Sequence, residues 1–257
     1  MQRLSKQEKK QLKVKHHQET RKEKRKRSHI NKRAKRSLML SEMTEEQKTQ
    51  FYESEKSQNL AIFEESQKAA LEGIPLIFDL SYCNIMTSVE IGSLQSQISA
   101  SVGFLRQQNP QFFSLMCSNA SGELKEKLTK RGSKKWFLQV FEEDLQNIPN
   151  LKDKPIIYLS PEGNEPLLEI DQKAVYVIGG LVDRTIQSSK SFARGGEIGA
   201  KVLRLPILEH GAGILRPERR VFNVNTVVEF LHFLAAGKTC EEAFLSSIPK
   251  RWTLLAS

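Results

Sequence analysis

The chain has 257 residues, a formal net charge of +10, 39% hydrophobic and 27% charged residues. This fits one large domain, or a medium domain with an appendage, and holds too much apolar material for a wholly disordered chain. No apolar run approaches the roughly 18 residues of a membrane span, no secretory h-region opens the sequence, and Cys83, Cys117 and Cys240 are too few and too scattered for a disulfide framework or a zinc site, so they read as reduced thiols of an intracellular protein.

The charge is segregated. Residues 1–36 hold 16 Lys+Arg against 3 acids, a net of +13, whereas residues 37–257 hold 24 bases and 27 acids, a net of −3. The densest clusters are Lys22, Lys24, Arg25, Lys26 and Arg27, then Lys32, Arg33, Lys35 and Arg36. Each such cation can neutralise a phosphate and release a counterion, so the arm suits nucleic acid; an import signal or a solvated helix face are the alternatives. Residues 1–72 contain neither Pro nor Gly and are rich in helix formers, which predicts helices over 3–36 and 43–71. The first has little to bury; the second carries Phe51, Leu60, Ile62 and Phe63 as a stripe that could dock on the body.

From Ile74 the pattern changes to short apolar runs between helical segments. Strands are predicted over 74–80, 112–118, 136–140, 155–159, 174–178 and 201–205, with helices near 87–107, 121–131, 142–147, 188–199, 223–236 and 239–247. The strand runs are continuously apolar, as expected for parallel strands buried on both faces, so the fold class is α/β with an open, mostly parallel sheet. Residues 1–71 then form a basic helical arm and 72–257 the folded domain.

In such sheets ligands bind beyond the carboxyl ends of the strands. There stand Ser160-Pro161-Glu162-Gly163, then Gly179-Gly180-Leu181-Val182-Asp183-Arg184, then Pro206-Ile207. A glycine pair lets a backbone approach a ligand, and Asp183 stands where a catalytic carboxylate would; a tight turn with Asp183 as helix N-cap is the plainer alternative. No P-loop is present, and Gly211-Ala212-Gly213 does not complete a dinucleotide fingerprint. His16, His17, His29, His210 and His232 have no metal-ligand spacing, so no metal is expected; His232, on an apolar helix, reads as a core residue.

The motifs Tyr158-Leu159-Ser160-Pro161-Glu162, Val175-Tyr176-Val177-Ile178-Gly179-Gly180-Leu181-Val182-Asp183-Arg184, Leu203-Arg204-Leu205-Pro206-Ile207 and Asn223-Val224-Asn225-Thr226-Val227-Val228, together with Phe78-Asp79-Leu80-Ser81, Ala243-Phe244 and Ile248-Pro249, resemble the tRNA guanine-N1 methyltransferases that act at position nine, a SPOUT family. The resemblance covers roughly residues 72–251, and Thr226 stands where family members commonly carry Gln. It implies a C-terminal trefoil knot holding S-adenosylmethionine between Leu159, Ser160 and Pro161, Gly179, Gly180, Leu181, Val182 and Asp183, Leu205, Pro206 and Ile207, and the wall of Asn223, Asn225 and Val227. It also implies Asp183 as general base for guanine N1, tRNA as partner and a monomer; the lack of a long apolar run predicts no membrane attachment, and a nuclear or cytoplasmic location, or both, is expected. Arg184, Lys134 and Lys135 join the arm as expected RNA contacts. N1 methylation of adenine at the same position, or a non-catalytic RNA-binding scaffold, are the alternatives.

Overall fold

The computed structural model describes residues 6–130, 132–182, 189–211, 213–215, 221–249 and 252–253; Asp183 and Arg184 lie outside these described residues. The chain divides into two compact units, one up to Leu60 and one from Ala61 onward.

The first unit contains helix α1 (Lys6–Ser41) and the part of α2 (Glu45–Glu72) up to Leu60. Thr44 starts α2 through a reciprocal box: Gln47 N donates to Thr44 Oγ1 at 3.2 Å, and Thr44 N donates to Gln47 Oε1 at 3.0 Å. Between the helices, Arg36 donates two bonds to the Glu55 carboxylate at 2.6 and 2.5 Å and lies 5.4 Å from the centroid of the Phe51 ring. The bidentate fork and the stack use the shape of guanidinium, so Arg36 has a structural task that its neighbours on α1 lack.

The second unit is built on seven strands, β1 (Ile74–Asp79), β2 (Phe113–Ser118), β3 (Gln139–Val140), β4 (Ile156–Leu159), β5 (Glu165–Pro166), β6 (Val175–Gly179) and β7 (Lys201–Arg204). Their order is β3-β2-β1-β6-β4-β7-β5, and every pair is parallel. The apolar runs divide by the period of two. Leu76 and Phe78 of β1, Tyr176 and Ile178 of β6, and Leu159 of β4 face a large core shared with α3 (Ser88–Leu105), α4 (Gly122–Lys130), α7 (Val224–Ala235) and α8 (Cys240–Ser247). Ile77, Val175, Val177 and Tyr158 face a smaller core with Leu145, Ile148, Leu151 and Ile198. Both faces are thus covered, which is why the strands lack a polar alternation.

Three expectations change. Residues 142–147 form no α-helix: short 3-10 turns cover Leu145–Asn147 and Pro149–Leu151, and Ile148 between them is extended, as a residue before proline prefers. The strand expected over 136–140 shrinks to β3, because Ser133–Trp136 winds into a 3-10 turn and Phe137 takes a positive φ of 58°. Within the second unit, α2 docks through small residues rather than large ones: Ser66 and Ala69 are buried, Ser66 Oγ accepts from Gln111 Nε2 at 3.1 Å, and Phe63 stays about half exposed against the edge of Phe137. The edge strand β5 and the single-turn helix α6 (Ile207–His210) were not anticipated; β5 is two residues long and ends on Pro166, which only an edge tolerates.

His232 is 4% exposed among Phe104, Phe112 and Phe233, as expected for a core histidine. Burial, and then the charge of Lys238, push its pKa down to about 4. The three cysteines are free thiols.

Candidate active site at the carboxyl edge of the sheet

Because the strands are parallel and in step, their carboxyl ends meet at one edge. Asp79, the last residue of β1, pairs with Ser118 and with Gly179; Leu159, the last of β4, pairs with Ile178 and Leu203. The loops after β4, β6 and β7 therefore start side by side.

Two glycines make this closeness possible. A Cβ on Gly163 would lie 2.5 Å from the Leu203 carbonyl carbon, so only glycine lets the Ser160–Gly163 loop cross β7. A Cβ on Gly180 would lie 2.8 Å from Asp79 O, the oxygen that accepts from Gly180 N at 2.8 Å. The glycine pair after β6 is thus required at Gly180 by packing against β1, a reason separate from ligand approach.

Beyond these turns, Leu181, Val182, Leu205 and Ile207 are half-buried and pack onto the large core beside Leu159, Val224 and Val227. Polar groups gather on the other side. Ser160, 3% exposed, donates to Glu162 Oε2 at 2.7 Å and lies 2.9 Å from Ser191 Oγ, while Glu162 Oε1 accepts from Ser189 N at 3.0 Å. Burial opposes ionisation of Glu162, but the bonds from Ser160 and Ser189 prevail and hold its pKa below the usual carboxylate range. This cluster joins the first loop to the start of α5 (Lys190–Glu197).

Beneath the loops lies a buried polar network that the sequence reading missed. Asp79 is fully buried, and its Oδ1 accepts from Ser81 N at 3.1 Å and Asn119 Nδ2 at 3.2 Å. Its Oδ2 accepts from Tyr158 OH at 3.1 Å and Arg194 Nε at 3.2 Å. Arg194 also donates to Asp144, which in turn accepts from Gln146 N at 3.2 Å and Asn119 Nδ2 at 3.4 Å. Burial would lower the Arg194 pKa, yet Asp144 and Asp79 raise it; burial would raise the Asp144 pKa, yet Gln146 N and Arg194 lower it. The charges of Arg194 and Asp144 are therefore mutually fixed. Desolvation pushes the Tyr158 phenol far up, and that of Tyr82 to about 12. The only signal in the sequence was a carboxylate ending the apolar run Ile74–Asp79.

The expected cofactor residues fall together here in part. Leu159, Ser160, Gly180, Pro206 and Val227 are buried, Gly179, Leu181, Val182, Leu205, Ile207 and Asn225 are half-buried, and Pro161 and Asn223 are exposed. Asn223 precedes α7 in an extended conformation and its side chain makes no capping bond; Asn225 Nδ2 donates to Glu229 Oε1 at 3.3 Å. The N-cap of α5 is Ser189 rather than Asp183, so the N-cap alternative for Asp183 does not apply to that helix. A half-open apolar rim beside glycine turns and a hydroxyl cluster fits the chemistry of an adenosyl group with a charged amino-acid tail. Among the described residues no group of three or more His, Cys, Asp or Glu could hold a metal ion.

On α1, Lys22, Lys24, Arg25, Lys26, Arg27, Lys32, Arg33, Lys35 and Arg36 are all exposed. Lys134 and Lys135 belong to the turn Ser133–Trp136, and their side chains are outside the description. The lysines of the neighbouring α4 are paired: Lys125 with Glu142, Lys127 with Glu123 at 2.6 Å, and Lys130 with Glu126 at 3.3 Å. A cleft of about 690 Å³ opens elsewhere, near the amino end of β1, lined by residues including Lys68, Glu72, Gly73, Pro110, Ile170 and Lys238; no expected cofactor residue borders it.

A family model described as tRNA (guanine(9)-N(1))-methyltransferase TRM10/TRM10A matches residues 2–253. The chain is 28% identical over 194 residues to the tRNA (guanine(9)-N1)-methyltransferase of Schizosaccharomyces pombe, covering 73% of this chain and 62% of that protein. It is 33% identical over 146 residues to the tRNA methyltransferase 10 homolog B of Rattus norvegicus, covering 56% and 46%. The chain thus spans from under half to about three-fifths of the length of these curated relatives. The structure of full-length spTrm10 in its SAH complex superposes with a TM-score of 0.61 at 24% identity, over 70% of this chain and 95% of that one. The dual-specific Trm10 of Thermococcus kodakaraensis gives 0.53 at 23%, over 68% and 99%. The fold is shared with both.

Proposed function

Because the chain belongs to the tRNA (guanine(9)-N(1))-methyltransferase TRM10/TRM10A family, we propose that it methylates N1 of the purine at position 9 of tRNA, guanine by preference, with S-adenosylmethionine as donor. The observation that carries this reading is the family match over residues 2–253 in a chain whose strand-end loops meet at one carboxyl edge. That spTrm10, which shares the fold, forms an SAH complex supports the choice of donor.

The residues that would hold the donor are Leu159, Ser160 and Pro161, Gly179 to Asp183, Leu205 to Ile207, and Asn223, Asn225 and Val227. Bound there, S-adenosylmethionine would supply an electrophilic methyl carbon for N1, its sulfur keeping the electron pair of the C–S bond. Guanine N1 carries a proton that must leave, and Asp183 is the carboxylate proposed to accept it. Adenine N1 carries none. The half-buried Leu181, Val182, Leu205 and Ile207 exclude water from the apolar side, and holding both substrates in line supplies much of the rate.

We read the passage from β6 past β4 to β7 as the trefoil knot; the order β6-β4-β7 in the sheet supports this. We further propose residues 1–71 as an RNA-contacting arm, Arg184, Lys134 and Lys135 as further RNA contacts, a monomeric enzyme, and work in the nucleus, the cytoplasm or both. The exposed cations of α1 support the arm. The test is mass-spectrometric mapping of nucleosides after incubating the protein and donor with unmodified tRNAs bearing G or A at position nine. The expected product is 1-methylguanosine at that position. 1-Methyladenosine alone would reassign the base, and no methylated purine would leave a non-catalytic RNA-binding scaffold.

A further inference from the structure

Asp79 holds the chain on both sides of the stretch that contains Asp183. Its backbone oxygen accepts from Gly180 N at 2.8 Å, at the end of β6, and its carboxylate accepts from Arg194 Nε at 3.2 Å, on α5. The start of α5 is held a second time, by Glu162 on Ser189 N at 3.0 Å and by Ser160 beside Ser191 at 2.9 Å. Ser189 needs that support: its φ is 69°, in the left-handed region that favours glycine.

The carboxylate of Asp79 is in no position to exchange a proton with a substrate. It is 0% exposed, and its two oxygens accept from four donors, Ser81 N, Asn119, Tyr158 and Arg194. Arg194 is 18% exposed and bridges Asp79 to Asp144, with Glu197 3.8 Å away on the same helix. A planar guanidinium that reaches two carboxylates, one at the end of β1 and one at the turn before Leu145, fixes angle as well as distance, which an ammonium cannot do. Buried ion pairs of this kind are weak stabilisers, so the task to test for this one is the arrangement of the elements it joins.

We propose that Asp79 and Arg194 are positioning residues for the methyl-transfer site: together they set α5 and the Gly180 turn against the Ser160–Gly163 loop, and Asp79 is not a general base. The inference rests on the proposed methyl transfer for its catalytic consequence, though not for its structural one.

The experiment uses the full chain with Arg194→Ala, Arg194→Lys and Asp79→Asn. Single-turnover methylation by Arg194→Ala should fall at least about 10-fold, since small misplacements of reacting groups are costly, while tRNA affinity stays within about twofold. Guanidinium at tens of millimolar should restore part of the rate, and potassium at equal ionic strength should not. If Arg194→Ala does not fold, Arg194→Lys carries the test and should show an intermediate rate with an unchanged tRNA affinity. Asp79→Asn should be slower yet keep the wild-type shape of the pH–rate profile. Loss of the acid limb in Asp79→Asn, or a wild-type rate in both Arg194 variants, would overturn the proposal. Hydrogen exchange separates it from the functional reading: protection at Gly180 N and Ser189 N should weaken in the Arg194 variants beyond any change at Leu76 or Tyr176. Should wild type methylate no tRNA, the functional reading fails, and this exchange result alone decides, with unchanged protection refuting the pair's role.

Discussion

Tyr82 and Tyr158 place their phenol oxygens 2.8 Å apart, and Tyr158 donates its one proton to Asp79 Oδ2 at 3.1 Å. The direction of the chain follows. With the Tyr158 proton committed, Tyr82 is the donor between the two rings, so the sequence runs Tyr82 to Tyr158 to Asp79. Desolvation raises both phenols, which keeps those protons in place at neutral pH.

Tyr158→Phe removes the middle of that chain. The ring volume stays, so no cavity opens, but Asp79 loses a donor and the Tyr82 hydroxyl keeps only the Lys190 carbonyl oxygen, 3.5 Å away, as acceptor. An unsatisfied buried polar group costs about 1–3 kcal/mol. Urea unfolding should show a lower midpoint with an unchanged slope, and Tyr82→Phe, which removes only the terminal donor, should lose less.

His232 makes the fold acid-sensitive. Its folded pKa is depressed to about 4 from the 6.5 of the free side chain. The unfolded chain then binds more protons than the folded one between these values, so stability declines as pH falls below about 6.5 and levels off below about 4. At pH 5 the loss from this residue should be about 2 kcal/mol. His232→Phe would sit among the same three aromatic rings without the titration, and its urea midpoint should fall less between pH 7 and pH 5 than that of wild type.

The strands of both sheet faces were legible because continuous apolar runs such as Ile74–Asp79 and Val175–Gly179 are what a doubly covered parallel strand requires. The site loops were legible as strand ends with Gly and Pro. What escaped was pairing at a distance. Arg194 stands 115 positions from Asp79, and no local pattern announces their meeting. The segment 142–147 misled for a local reason, since its helical composition yields to Pro149. The ion pairs of α4 are legible only in part: Glu123 with Lys127 and Glu126 with Lys130 stand four residues apart on a predicted helix, whereas Lys125 meets Glu142 only once the intervening turns are placed.

Two glycine substitutions should move stability in opposite directions. Gly180→Ala pushes a methyl onto Asp79 O and the Leu80 side chain, at 2.8 and 2.9 Å, so backbone or core must shift; a loss of about 1–3 kcal/mol is expected. Gly103→Ala, in α3 with nothing within 4 Å of the new methyl, should gain about 0.5–1 kcal/mol from helix propensity. Thermal melts of the two variants against wild type check both signs.

Deleting residues 1–36 removes 13 net positive charges. Binding of tRNA should weaken, and log K should fall less steeply with log salt, while donor binding by calorimetry stays at one site per chain. Alanine at Lys125, Lys127 and Lys130 together should change the salt slope little, because each already has a carboxylate partner. An unaltered slope in the deletion would mean that the arm's charges do not touch RNA.

The decisive substitution for chemistry is Asp183→Asn. Asparagine keeps the size and much of the hydrogen bonding of aspartate but cannot accept a proton at neutral pH. If Asp183 takes the proton from guanine N1, single-turnover methylation should fall by about 10²–10⁴-fold, with donor and tRNA affinities close to wild type. The pH–rate profile should lose the limb that reports the carboxylate. On a tRNA with adenine at position nine no proton has to leave, so any turnover there should be far less sensitive to the change. The two substrates thus separate proton removal from positioning, since a residue that merely placed the purine would slow both alike. Equal guanine rates for the variant and wild type would exclude Asp183 as the base. Among the described residues, Asp79 could not then take its place, because its carboxylate is fully buried and already accepts from four donors.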